Sequence, residues 1–401
     1  MKEILYESNM NTINNQTNKT RNMRYDIDLT RYSERISSLE QTINDVYEFK
    51  NSNLPFIVNY VNYWLDGENP GLIPDNYFTN PAAQTKFQVD KINHHLQSLN
   101  DAYIPFLHPW FGTVVLPSAL GCEIAMNPRK DPAVKTNVIQ HPEEITKLKL
   151  PDFDHDGLLP DVLSTIDFMV SNSNIPVSIT DAQGPLNIAL NLCGVENLFV
   201  WMYTNPNEVH EIMEFCTEAL IKWIKVQKEH LKPDMRQVTW PHGILLPENY
   251  GSVWLADDDC TQLSAELYKE FVVPYNSKVF KAFNGGTLHF CGTAEHQLEN
   301  FLQTEGLVGV NNFCMGNFLQ VKKMQDLYKN KLAIMVCDFA PVNYEDYYTE
   351  LLGFLEPKGT ILACFIAPKY SLQNGQYETT DYNGKYRSLQ LYNFLNKALN
   401  S

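Results

Sequence analysis

The stretch Gly285-Gly286-Thr287-Leu288-His289-Phe290-Cys291-Gly292 concentrates residue types that can do chemistry. Side chains alternate along an extended chain, so His289 and Cys291, two residues apart, project from the same face. The glycines on either side punctuate the run and place both groups where a strand passes into a loop. An imidazole and a thiol side by side can hold a soft divalent metal, zinc in particular. A satisfied core histidine beside a cysteine acting as a small hydrophobe accounts for the same pair without a metal. The elements that position the pair decide between the two.

Short β-type runs recur at 103–107, 176–180, 237–240, 252–255, 287–290, 308–310, 332–336 and 360–365. Most lead into helical material. Residues 205–231 carry Pro206 near their start and an apolar face of Val209, Ile212, Met213, Phe215 and Leu220. Residues 264–283 and 294–303 are further helix candidates. Eight strand-and-helix alternations imply an α/β fold with a parallel sheet closed into a TIM (β/α)8 barrel, an open doubly wound sheet being the alternative. The expected organisation is a mobile tail over 1–22, a helical cap over 23–102 that forms an N-terminal helical extension, and the barrel over 103–401. A long insert at 109–174 departs from the ideal repeat.

In a barrel the polar residues that end each strand collect on one rim. Here they are His108, Asp181 with Gln183, His242, Asp257 with Asp258, His289 with Cys291, Asn311 with Asn312, and Cys337 with Asp338. Cys364 lies within the eighth strand and joins His289 and Cys291 as an expected third ligand. Cys337 and Cys314 compete for that role. Three protein ligands leave a coordination position open, as in catalytic zinc sites.

Composition excludes several classes of function. The 401 residues carry 31 basic and 47 acidic side chains, a formal charge of -16 that repels nucleic acid and anionic membranes. No run approaches the roughly 18–20 apolar residues that a membrane span needs. Eight cysteines are too sparse for a disulfide scaffold and lie mostly in apolar runs, which points to a reducing, cytoplasmic setting.

Several stretches together carry a family resemblance: Ser118-Ala119-Leu120-Gly121-Cys122-Glu123-Ile124, Asp181-Ala182-Gln183-Gly184-Pro185-Leu186, Asn205-Pro206-Asn207-Glu208-Val209, Asp257 through Ser264, Phe271-Val272-Val273-Pro274-Tyr275, and His289-Phe290-Cys291-Gly292. In these pieces and their order the chain resembles the uroporphyrinogen decarboxylase superfamily, and within it the zinc-dependent corrinoid methyltransferases of the methylcobalamin:coenzyme M type. The resemblance implies a TIM barrel and zinc on His289, Cys291 and Cys364. Phe365-Ile366-Ala367-Pro368 departs from the glycine-rich continuation that the thiol-methylating members have after the distal cysteine. The decarboxylases' Arg-Gln-x-Gly-Arg loop is absent, and between residues 103 and 365 arginine occurs at Arg129 and Arg236 alone.

The implied activity is methyl transfer between a corrinoid such as methylcobalamin and a small thiol or methylated substrate. No Asp-x-His-x-x-Gly cobalamin motif occurs in the chain, so the corrinoid would arrive in trans, on a partner protein. Asp181 and Asp258 are the expected orienting carboxylates and His242 an acid–base group. Trp110, Gln183, Trp240 and Asn312 are expected to contact substrate, with Phe111 and Trp254 adding to an apolar wall. A docking barrel without turnover, or a decarboxylase-like member of the superfamily, is the alternative.

Overall fold

Pro55 introduces the run Phe56-Ile57-Val58-Asn59-Tyr60, whose β-branched and aromatic residues suit a pleated, buried surface. In the computed structural model, which describes residues 24–60, 74–127, 130–232, 238–240, 244–366, 370–371, 376–377 and 384–400, this run is strand β1 (Phe56–Tyr60). Two hairpins follow, β2 (Glu123–Asn127) with β3 (Lys130–Thr136), and β4 (Val238–Trp240) with β5 (Ile244–Leu246). Then come β6 (Trp254–Ala256), β7 (Gly286–Cys291), β8 (Leu307–Phe313), β9 (Ala333–Phe339) and β10 (Thr360–Ile366), and a last small hairpin of β11 (Tyr370–Ser371) and β12 (Gln376–Tyr377).

Six strands form one parallel sheet in the order β1-β10-β9-β8-β7-β6. Two extended segments carry the hydrogen bonding on from β1 towards β6. Ala102 N donates to Phe56 O at 2.8 Å, Leu107 bridges Val177 in parallel, and Gln183 bridges Ala256 in parallel. Eight segments therefore follow one another around a ring, in the manner of a TIM barrel.

The number agrees with the sequence reading and two members differ. Residues 23–102, expected to be a helical cap, supply β1, because five residues of strand propensity between helices leave little periodic trace. Of residues 237–240, expected in the ring, Val238–Trp240 pair instead as β4 with β5 in a hairpin. The expected tail over 1–22 and His242 lie outside the described residues.

Helices cover the outside of the ring. The helix Pro206–His230 buries Val209, Ile212, Met213, Cys216, Leu220, Trp223 and Ile224 on one face. The expected helix over 264–283 is two, Ala265–Phe271, capped by Ser264, and Val273–Ala282, with Pro274 in its first turn. A proline cannot donate to the preceding turn, so the first helix ends there. The helix Leu29–Tyr47 runs to the amino-terminal end of the ring, where Tyr47 Oη lies 3.3 Å from Thr287 Oγ1. The helix Pro81–Ser98 starts on an Asn80 cap that accepts from Ala82 N and Ala83 N. Among the described residues no helix is long and apolar enough to cross a membrane.

Candidate metal centre

Residues paired across a parallel sheet point to the same face, so the register assigns each side chain a side. His289 pairs with Asn311, Asn311 with Met335, and Met335 with Ile361; Cys291 pairs with Phe313, Phe313 with Cys337, and Cys337 with Ala363. Thr287 belongs to the same face as His289 and meets Tyr47, which plugs the ring from below. This face is the barrel interior, and His289 and Cys291 stand at its carboxyl-terminal end.

His289 is buried and its two nitrogens have different surroundings. Nδ1 lies 2.5 Å from Asn311 Oδ1. The amide of Asn311 is itself oriented, because its Nδ2 donates to Met335 O and to Cys337 Sγ, both at 2.9 Å. Oδ1 is then the acceptor that faces the ring, and Nδ1 carries the proton. That tautomer leaves the lone pair on Nε2, as in metal-ligating histidines held by a second partner. Nε2 is 3.4 Å from Cys291 Sγ and 3.6 Å from Asp258 Oδ1. Asp258 opens the short 3-10 helix Asp258–Gln262, and its Oδ1 also accepts from Cys291 N at 2.7 Å.

One donor atom from each of Asp258, His289 and Cys291 falls within 4.8 Å of the others. Four-coordinate zinc with bonds of about 2.0–2.3 Å has tetrahedral edges of about 3.3–3.8 Å, which the two measured separations match. A carboxylate and a thiolate would balance a divalent charge. Burial lowers the His289 pKa and raises that of Cys291, to which Asp258 adds, so without a cation the thiol keeps its proton. The donor set thus fits zinc, with Asp258, His289 and Cys291 as the residues that would hold it.

Cys364, the expected third ligand, is a correction. It pairs with Asp338 on β9 and Val58 on β1, one residue out of phase with the interior face, and its buried thiol hydrogen-bonds Tyr348 on the helix Tyr344–Phe354. Its side chain lies between sheet and helices. Asp338 shares that outer layer, accepting from Cys314 Sγ, Gly316 N and Tyr347 Oη. Cys337 has the interior phase and touches the site through Asn311.

The other expected residues divide in the same way. Asp181 is buried at the carboxyl-terminal side of its segment, with Gln183 Nε2 donating to its Oδ2 at 2.5 Å and Asn187 Nδ2 donating to Gln183 Oε1 at 2.8 Å. Its Oδ1 is buried with no hydrogen-bond partner among the described residues. Burial, and then the charges of Asp258 and Asp131, hold the Asp181 carboxyl up at about 7. Asp257 faces outward to Tyr268 and Asn276. Asn312 also faces outward, donating to Phe290 O and Gly292 O, so the interior contact on β8 is Asn311 and not Asn312. Trp110 donates from Nε1 to Asp131 Oδ1 at 2.7 Å. Trp254 pairs with Thr287, a layer below His289. Trp240 ends β4, and its side chain is outside what the structure describes.

Sequence reasoning passed over an aromatic band. Phe313, Phe339 and Phe365 share the interior phase on adjacent strands, with ring centroids 4.7, 5.3 and 6.2 Å apart. Phe313 pairs with Cys291 and Phe365 pairs with Asn59, so the band crosses from the metal side of the mouth to β1. The signal was available as a phenylalanine two residues after an interior residue on three consecutive strands.

Comparison with known proteins bears on the fold. The family model described as uroporphyrinogen decarboxylase (URO-D) matches residues 93–231, which end before Asp258, His289 and Cys291. A methylated-thiol–coenzyme M methyltransferase of Methanosarcina mazei is 26% identical over 204 residues, 49% of this chain. The chain spans about half the length of that curated relative, 49%. Among solved structures, a methyltransferase from Methanosarcina mazei superposes with a TM-score of 0.61 at 14% identity, covering 90% of this chain and 99% of that one. That likeness establishes the shared fold.

Proposed function

We propose that this chain, which belongs to the uroporphyrinogen decarboxylase superfamily, is a zinc-dependent methyltransferase that moves a methyl group between a corrinoid and a small thiol or methylated substrate. The observation that carries the reading is the Asp258, His289 and Cys291 triad at the carboxyl-terminal end of the barrel, set at tetrahedral spacing with one histidine nitrogen fixed as the donor. The curated relative acts on methylated thiols and coenzyme M, which suggests the substrate class. When bound, zinc would supply a Lewis acid able to keep a substrate thiol in its nucleophilic thiolate form at neutral pH.

The residues of the chain prepare and enclose that chemistry. Asn311 holds the imidazole in one tautomer, and Cys291 N anchors the Asp258 carboxylate. Phe313, Phe339 and Phe365 offer an apolar surface against which a methyl group is favourably removed from water. Asp181, with a carboxyl near neutrality and one oxygen without a hydrogen-bond partner among the described residues, can hold a proton at Oδ1 or deliver it there. The corrinoid would come from a partner protein. Porphyrinogen decarboxylation fits poorly, since the described interior of the mouth carries no arginine to grip several carboxylates.

The test combines metal analysis with turnover. Protein purified without chelators should hold about one zinc per chain, as three donors and one open position require. Mixed with methylcobalamin and a panel of small thiols, it should drive the colour change of cobalt demethylation. The reverse reaction is run with methylthio, methoxy and methylamine donors and reduced cobalamin. Rates no higher than those of His289→Ala in both directions, with free or protein-bound corrinoid, would remove the proposal.

A further inference from the structure

The wall of the ring beyond β6 carries two carboxyl groups outside the metal triad. Gln183 bridges Ala256, and Ala256 pairs with His289, so Gln183 stands on the interior face level with the imidazole. Asp181, two residues earlier, shares that face one layer deeper. The segment 102–107 adjoins on the other side, through the bridge of Leu107 to Val177. Four residues beyond that bridge lie Phe111 on one segment and Asp181 on the other. The hairpin of β2 and β3 folds over this place. Trp110 Nε1 donates to Asp131 Oδ1 at 2.7 Å, and a Cβ added at Gly112 would lie 3.5 Å from Asp131 Cβ and 3.3 Å from Pro132 Cδ. Asp131 thus reaches the wall that holds Asp181.

Neither carboxyl has a basic partner among the described residues. Asp181 is 8% exposed; its Oδ2 accepts from Gln183, whose amide Asn187 fixes in turn, and its Oδ1 is buried without a hydrogen-bond partner among the described residues. The partner of Asp131 is the neutral Trp110 indole. The charges that act on Asp181 come from Asp258 and Asp131, both acidic, and Lys91 acts on His108 and on neither carboxyl. Burial first of all holds both groups up, Asp181 at about 7 and Asp131 at about 6. A metal on Asp258 and Cys291 would balance those two ligands and leave this pair uncompensated. A cation between two carboxylates in a water-poor interior relieves both.

We infer that Asp181 and Asp131 form a cation subsite that takes the ammonium end of a small thiol, or of its methyl thioether, while the sulfur end reaches Asp258, His289 and Cys291. Asp181 lies a layer below His289, so the ammonium enters first and the sulfur stays nearer the rim, where a methyl carrier can meet it. Around the ring Asp181 is two places from β7, about 10 Å at about 4.8 Å per strand. A chain of two to four carbons spans that distance once its sulfur is on the metal. The assignment rests on the methyl-transfer reading for the sulfur and on the two carboxylates for the charge.

The experiment is calorimetric titration of the zinc-loaded protein at pH 8 with aminothiols of two to four carbons, and with mercaptoalcohols and mercaptocarboxylates of matching length. At the best length the aminothiol should bind at least about ten-fold tighter than the alcohol, as charge-assisted hydrogen bonds provide, and the carboxylate weaker than the alcohol. Asp131→Asn keeps an acceptor for the Trp110 indole and Asp181→Asn keeps one for Gln183, so each removes charge and little else. Either change should cut the ratio of amine to alcohol affinity at least about three-fold, and the double variant should bring it to about one. Asp131→Glu should keep most of it, with thermal melting confirming that all variants fold. Equal affinity for amine and alcohol in the wild type, tighter binding of the carboxylate, or an amine preference that survives the double variant overturns the subsite. Amine preference without methyl transfer from methylcobalamin keeps the subsite and removes the reading of the reaction. Methyl transfer without amine preference does the reverse.

Discussion

The two walls of the barrel mouth are organised by opposite means. On β7, β8 and β9 the ladder is continuous and the interior phase sets His289, Cys291, Asn311 and Cys337 at fixed spacing, so two of the three donors and the residue that orients one of them follow from backbone register. On the opposite side the segments 102–107 and 176–183 join the ring through isolated bridges, and glutamines from the helix Pro81–Ser98 stand in for strand partners. One wall needs precise donor separation, which regular strands provide.

The strongest way to break this contrast is to remove the donors of the regular wall. His289→Ala and Cys291→Ala should each take the zinc content from one equivalent towards zero, and lower methyl transfer on the order of 10³-fold, because a Lewis acid is worth several kcal/mol at the transition state. Asp258→Ala should weaken zinc retention more than Cys337→Ala does, measured by competition with a chromophoric chelator. The reverse ranking would move the third ligand to β9.

Asp181 lies between the walls and tests whether the acidic centre is kept for function at a cost in stability. Its carboxyl is raised from 3.8 to about 7, first by burial and then by Asp258 and Asp131. The folded chain therefore retains a proton that the unfolded chain has lost between about pH 4 and 7. Stability contributed by this group is full below pH 4 and declines as pH rises to about 7. Asp181→Asn should melt with the wild type at pH 4 and higher than it at pH 8, by about 2–4 kcal/mol if the whole shift is realised. Slower methyl transfer alongside the higher melting point marks a residue retained for chemistry. An unchanged or lower melting temperature at pH 8 would show that the buried carboxylate carries no such cost.

What the sequence made legible follows the same division. The His-x-Cys pair and the eight-fold ring were readable because period-two patterning and strand-end glycines are local signals. Asp258 was named for its motif, but its place as the third donor depends on a 3-10 helix turning it back onto β7, a tertiary fact. The register of β10 against β9 decides that Cys364 faces outward, and a one-residue shift reverses that outcome, so spacing in sequence could not supply it. β1 was missed because a five-residue strand between helices has no repeat to announce it.

Asn311 sharpens the picture of the metal wall without emptying it. Asn311→Leu removes the acceptor that fixes the His289 tautomer, and leaves Met335 O and Cys337 Sγ without their amide donor. Loss of an outer hydrogen-bond partner weakens metal binding by about 10–100-fold. Asn311→Asp should retain tighter binding than Asn311→Leu, because a carboxylate still accepts from Nδ1. Equal affinity for the two variants, read by the same chelator competition, would mean that the asparagine packs the barrel and does not orient the ligand.

The smallest effect is expected at Cys364, and its smallness is what makes it informative. The residue sits on the strand two places from β8 and is as buried as any ligand, yet the pairing of Cys364 with Asp338 turns its thiol to the helix layer, against Tyr348. Cys364→Ser keeps a hydrogen-bonding atom for Tyr348 while removing the soft donor. Zinc content and methyl transfer should stay within about two-fold of the wild type, and stability should change by about 1 kcal/mol, the worth of one buried hydrogen bond. Met335→Ala, on the interior face at the His289 level, gives a cavity-forming control for packing damage alone, at about 2–5 kcal/mol. Loss of the metal on Cys364→Ser with melting behaviour preserved would mean that β10 presents its even-numbered residues to the interior when zinc is bound. That would require a one-residue slip of β10 against both β9 and β1, breaking the two ladders that Ile361, Ala363 and Phe365 hold in phase with Ile57 and Asn59.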